Sequence, residues 1–148
     1  MAAFCAAHGI SLLPYGVVAG GLLSERYLGV PAAAAGDRMD TYSLGKYARV
    51  LQEAGGWAFL QALLGALAGV AAKHGATIAN VATAWVLSRP ATPAVIIGAR
   101  NALHVADHRA LFALRLDADD FAAIDAALAR GRRSTSDTYQ WERGLSKW

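Results

Sequence analysis

Apolar residues along this chain follow two spacings, and the spacings divide it into short buried strands and longer helices. Ala94, Val95, Ile96 and Ile97 are apolar without alternation, a run suited to a parallel strand covered on both faces. Residues 10–15, ISLLPY, form a second such run around a proline. Elsewhere the period is helical. Within 57–74, Leu60, Leu63, Leu64, Leu67 and Ala71 recur at three and four and make one apolar stripe, with Gly65 and Gly69 allowing close packing. Thr77 is the expected N-cap of a helix carrying Val81, Ala82, Trp85, Val86 and Leu87, which Pro90 ends. Thr41 or Ser43 would cap a helix bearing Lys46, Tyr47, Val50 and Leu51, closed by Gly55 and Gly56. Asp117 and Asp120 frame a capping-box start for a last helix with Phe121, Ile124 and Leu128 on its buried face, ending at Gly131.

Two stretches lack either period. Phe4, Cys5 and Ala6 read as the end of a helix that begins upstream of Met1 and stops at His8 and Gly9, a cation followed by a C′ glycine, and His74 and Gly75 repeat the signal. Residues 16–42, with Gly16, Gly20, Gly21, Gly29, Pro31 and Gly36, read as a long structureless loop, and loops of that length in a compact domain are usually functional. The order of helix end, strand, loop, helices, strand, helix, helix describes an α/β fold with a parallel sheet. The tail, 131–148, is polar but carries Tyr139, Trp141 and Trp148, and aromatics in such a tail usually dock on something.

Composition narrows the class. At 148 residues, 55% hydrophobic and 17% charged, the chain reads as one globular domain rich in apolar residues. Its net charge of +3, from 14 Lys and Arg against 11 Asp and Glu, is too small to argue for nucleic acid, and Arg130, Arg132 and Arg133 read as a solvated helix end. A single cysteine, Cys5, forms no internal disulfide, which fits a reducing, cytoplasmic setting. The N-terminus has no cationic region and is interrupted by His8 and Gly9, against a signal peptide. The apolar run 57–72 has 16 residues, short for a membrane span of about 20, so it reads as a buried core helix.

The candidate chemistry sits after the second strand. Gly98 and Ala99 leave room for a ligand to approach the backbone, and Asn101 can cap the helix that starts at Ala102. Free amides at that helix start, the macrodipole and Arg100 together suit a phosphate group.

Three segments, GISLLPYGVVAGGLLSERYLG, ATIANVATAWVLSRP and AVIIGARNALHVADHRALFALRLDADDFAAID, resemble in order and spacing the C-terminal part of the aldo-keto reductases. The resemblance runs from Gly9 to about Leu128. It implies that 1–148 is a single partial domain, the C-terminal portion of a (β/α)8 TIM-type barrel, with two parallel strands, surrounding helices and the barrel incomplete. A closed barrel takes about 250 residues. It implies NADP(H) or NAD(H) as cofactor and, for the full-length parent, a small carbonyl or alcohol substrate. Tyr15 matches the aromatic that stacks on nicotinamide. Gly16, Val17, Val18, Gly20, Gly21 and Leu22 match the loop over the pyrophosphate. Ile97, Gly98, Ala99, Arg100 and Asn101 match the turn that holds the adenosine phosphate, and His104, Asp107 and His108 continue that site on the helix. Arg100 favours NADP. The family's catalytic Asp, Tyr, Lys and His belong to the N-terminal half of its barrel, and no residue here matches them, so the chain is expected to be inactive alone.

Two other readings stand beside this one. His104, Asp107 and His108 spell H-x-x-D-H, which resembles the H-x-x-E-H of some zinc peptidases, with Glu142 as the one later Glu able to complete a site. Alternatively the chain is a non-catalytic nucleotide-binding or interaction fragment, self-associating through exposed barrel edges. Neither a membrane nor nucleic acid is expected as a partner.

Overall fold

Side-chain caps fix where several of the helices begin. The computed structural model describes residues 2–35, 41–99 and 101–133. Thr41 Oγ1 accepts from the Leu44 amide, Thr77 Oγ1 from Asn80 and Asn101 Oδ1 from His104, each at 3.2 Å. Asp117 accepts from the Asp120 amide at 3.0 Å while the Asp120 carboxylate accepts from the Asp117 amide at 2.9 Å, a complete capping box. The helices are α1 (Ala2–Ala7), α2 (Ala32–Ala35), α3 (Tyr42–Ala54), α4 (Gly56–His74), α5 (Ile78–Leu87), α6 (Ala102–Ala110) and α7 (Ala118–Leu128), and these caps start α3, α5, α6 and α7. Gly75 ends α4 in the left-handed region at φ 60°, its amide returning to the carbonyls of Ala71 and Ala72.

α4 is the centre of the molecule and packs against α3, α5 and α7. The apolar stripe is the reason. Leu60, Leu63, Leu64, Leu67, Val70 and Ala71 meet Leu44 of α3, Ile78, Val81 and Ala82 of α5, and Ile124 and Ala127 of α7 in one buried cluster. The helix has 19 residues rather than the 16 counted in the apolar run, about 28 Å of helix. By length and composition alone it is apolar enough to cross a membrane; the burial of its leucines in the core accounts for that apolarity instead.

At the C-terminal end of α4, Lys73 Nζ lies 2.5 Å from Asp117 and 2.8 Å from Asp120, and His74 Nε2 lies 2.6 Å from the other Asp120 oxygen. Asp120 is only 2% exposed. Burial pushes its carboxyl up, but hydrogen bonds from Lys73, the Asp117 amide and His74 outweigh burial and hold it well below the usual range. The Lys73 ammonium is correspondingly raised by its hydrogen bonds to Asp117 and Asp120.

The strand expectation is corrected in extent. Residues 10–15 and 94–97 are extended neighbours, but among the described residues they share one parallel bridge, Tyr15 with Ile96, and no longer strand forms. The Ile96 amide donates to the Pro14 carbonyl at 2.8 Å, and the Leu12 amide to the Ala91 carbonyl at 2.6 Å. Residues 12, 14 and 16 therefore face the partner segment. Pro14 has no N–H to donate the next rung toward Ala94, and Gly16 leaves extended backbone at φ 68°. The ladder is stopped on both sides.

The bridge also sets which face each residue takes. Leu13, Tyr15, Ala94 and Ile96 share an exposed face, with Tyr15 54% and Ile96 57% exposed, while Leu12, Pro14 and Val95 are half-buried.

The loop expectation is corrected too. The stretch read as structureless contains two 3₁₀ turns, Ala19–Gly21 and Glu25–Tyr27, followed by α2. Tyr27 is fully buried, edge-on to Trp57 at 6.1 Å. Gln61 of α4 accepts from the Gly29 amide and donates to the Tyr27 carbonyl, both at 2.8 Å, and Trp57 Nε1 donates to the Val30 carbonyl at 2.7 Å. Glu25 accepts from the Ile78 amide at 2.7 Å, satisfying an open donor at the start of α5.

Candidate functional site

The parallel bridge brings the two candidate ligand-binding turns together. Loop 16–22 leaves from Tyr15 and turn 97–101 leaves from Ile96, so both emerge at the carboxyl ends of adjacent parallel segments, where open and closed α/β sheets place ligands.

Loop 16–22 is a series of left-handed turns, with φ of 68°, 67° and 104° at Gly16, Gly20 and Gly21, and 49° at Ala19. The amides of Ala19, Gly21, Leu22 and Leu23 are used inside the loop. Those of Val17, Val18 and Gly20 donate to nothing among the described residues, so this loop offers amide donors to an anion. Leu22 takes a different part from its neighbours: its side chain is 1% exposed in the core, and only its backbone belongs to the loop.

In the second turn, Ile97, Gly98 and Ala99 are exposed, and a Cβ at Gly98 would meet nothing within 4 Å. Asn101 caps α6. His108 Nε2 donates to the Gly98 carbonyl at 3.1 Å and pins the turn to α6. His104 and His108 stand edge to face, ring centroids 6.4 Å apart. Asp107 faces inward, accepting from Asn80 Nδ2 at its carbonyl (3.0 Å) and its carboxylate (3.2 Å), which ties α6 to α5. The H-x-x-D-H pattern is thus divided between two structural contacts, and no cluster of three metal-ligating side chains occurs among the described residues. Arg100, Glu142 and the tail aromatics Tyr139, Trp141 and Trp148 lie outside the described residues.

One wall of the site has no counterpart in the sequence expectations. Ser43 and Tyr47 of α3, at i and i+4, lie against loop 16–22. A methyl group at Gly16 would overlap the Tyr47 hydroxyl, and one at Gly20 would come within 2.9 Å of Ser43 Oγ and of the Tyr47 ring. Lys46 Nζ lies 5.8 Å from the ring centroids of both Tyr15 and Tyr47. Burial, with a smaller contribution from the charge of Tyr15, pushes the Tyr47 hydroxyl above its usual pKa. The helix itself was legible from its cap; which face it turns to the loop was not, because the loop carries no period to register against.

The sequence profile described as "Aldo/keto reductase family" matches residues 1–129. A solved thermostable aldo-keto reductase, in complex with the inhibitor epalrestat, superposes with a TM-score of 0.53 at 21% identity over 85% of this chain and 32% of that one. At that identity the likeness speaks for a TIM-barrel-like α/β fold. Flagellar radial spoke protein 5 of Chlamydomonas reinhardtii is 40% identical over 93 residues, 62% of this chain and 18% of that protein. The chain thus spans about a third of the solved relative and under a fifth of the flagellar one.

Proposed function

From the premise that this chain belongs to the aldo/keto reductase family of oxidoreductases, we propose that it is the dinucleotide-binding part of a reductase that takes NADP(H) or NAD(H). The observation that carries this is the Tyr15–Ile96 bridge, which puts loop 16–22 and turn 97–101 at one end of adjacent segments. In this reading Tyr15 receives the nicotinamide on its exposed face. The amides of Val17, Val18 and Gly20 receive the pyrophosphate, Gly98 and Ala99 leave space for the adenosine phosphate at the α6 start, and Arg100 reads the 2′-phosphate. A contact between a charged donor and phosphate is worth about 1.5 to 3 kcal/mol, so Arg100→Ala is expected to weaken NADPH by roughly one to two decades and NADH little. Fluorescence titration of both cofactors decides it: equal losses would show that Arg100 does not read the 2′-phosphate.

The chain is proposed to lack its own proton donor. A positioned general acid is worth about 10² to 10⁴ in rate, and Tyr15 cannot serve as one while stacked under the ring. No NADPH-dependent reduction of an aromatic aldehyde is expected from the chain alone; turnover that disappears in Tyr15→Phe would refute this.

A second reading, a nucleotide-holding or interaction module without turnover, draws on the likeness to a radial spoke protein and on exposed apolar side chains. Phe4, Leu13, Ile96, Leu103, Val105 and Phe112 are open, Phe112 to 79%, and such surface associates with something. Self-association is expected on size exclusion, and a compact monomer at all concentrations would count against an exposed barrel edge.

A further inference from the structure

Helix α6 is held on the molecule without an apolar face. None of its residues is buried or joins the core cluster, and Leu103 and Val105 are exposed. Only Asp107 and His108 are half-buried. Apolar burial therefore does not set the rotation of this helix as it does for α4, and the polar contacts of two neighbouring residues are left to set it. Asn80, buried near the start of α5, donates from Nδ2 to the Asp107 carbonyl at 3.0 Å and to the Asp107 carboxylate at 3.2 Å. That carbonyl is open because the last turn of α6 tightens, the Leu111 amide donating to the His108 carbonyl at 3.2 Å instead. His108, about 100° further round the helix, donates to the Gly98 carbonyl at 3.1 Å. One contact thus fixes α6 to α5, the next fixes the turn to α6, and a rotation of the helix that broke the first would break the second.

We propose that Asn80 is a positioning residue for the cofactor: from the core, without touching the ligand, it sets α6 and through His108 the turn at Gly98 that receives the adenosine phosphate. The inference rests on the dinucleotide reading above. It gives Asp107 a part in holding the helix in place of the ligand contact that the family resemblance implies. Anion sites of this kind tolerate displacements of only about 0.5 Å, so a distant residue that fixes the helix start governs affinity.

The test divides NADPH into its halves and titrates the full chain with NADPH and with each half. Adenosine 2′-phosphate carries the phosphate assigned to the turn, and reduced nicotinamide mononucleotide belongs to Tyr15 and loop 16–22. Asn80→Ala is expected to weaken NADPH and adenosine 2′-phosphate by the same factor, roughly tenfold, and to leave the mononucleotide unchanged. Asp107→Ala removes the carboxylate partner without opening the core and is expected to show the same split, with the double variant losing no more than Asn80→Ala, since both changes break one contact. Unchanged binding of adenosine 2′-phosphate in Asn80→Ala that melts like the parent, or in Asp107→Ala if Asn80→Ala does not fold, would overturn the role of Asn80 and leave the dinucleotide reading intact. Equal weakening of both halves, or losses that add in the double variant, would overturn it as well. Failure of the parent chain to bind NADPH would overturn both.

Discussion

Replacing Asp120 with alanine is expected to destabilise the chain by about 3 kcal/mol, because removing one partner of a buried ionic cluster leaves the others without compensation. Asp120 is 2% exposed and is held by Lys73 at 2.8 Å, His74 at 2.6 Å and the Asp117 amide at 2.9 Å. It is also the reciprocal half of the capping box that starts α7, so the same change frays that helix. The sign of the pH dependence follows from the directions of the shifts. The Asp120 carboxyl sits below its ordinary value when folded, so its contribution is complete above about pH 4, the unfolded value, and is lost as pH falls toward the folded one. Lys73 is raised, so its contribution is complete below about pH 10 and is lost only as the solution becomes more alkaline. Urea melts followed by circular dichroism from pH 2 to 7 read this directly: the parent should lose stability below pH 4 and Asp120→Asn should be flatter there. Parallel acid slopes in the two proteins would remove Asp120 from the account of α4 and α7 docking.

The second large effect is expected at Gly16. Valine there meets two obstacles, since φ of 68° is strained for a β-branched residue and its Cβ would overlap the Tyr47 hydroxyl. The two together should cost about 3 kcal/mol, the backbone part being about 1 to 2. In a Tyr47→Leu background the overlap is gone and only the backbone part should remain. An equal cost of Gly16→Val in both backgrounds would mean that Tyr47 does not pack on the loop, and the proposed wall of α3 would lose its anchor.

What could be read from the sequence was local. The capping box of Asp117 and Asp120, the caps at Thr77 and Asn101, the left-handed Gly75 and the stripe from Leu60 to Ala71 each depend on residues a few positions apart, and each forms as expected. Contacts between distant segments were not legible. Asp120 reads locally as a capping residue, but its ion pairs come from residues 46 and 47 positions away. The loop after Tyr15 looked structureless because Gln61 and Trp57, which order its distal part, belong to a separate helix and lie outside the apolar stripe read from its spacing. The strands failed to lengthen for a reason that was in plain view: a proline and a left-handed glycine flank the bridging Tyr15. In the candidate site the glycines and the capping Asn101 were legible from residue type, whereas the inward turn of Asp107 to Asn80 and the approach of Lys46 to Tyr15 depend on helix rotation, which no spacing in this sequence specifies.

The central claim is that one dinucleotide bridges loop 16–22 and turn 97–101. Backbone amide chemical shifts of the ¹⁵N-labelled chain, recorded while NADPH is added, test it most directly. The account predicts saturable shifts at Val17, Val18 and Gly20 and at Gly98, Ala99 and Asn101, developing with one common dissociation constant. Shifts confined to one of the two turns, or centred elsewhere on the chain, would contradict it.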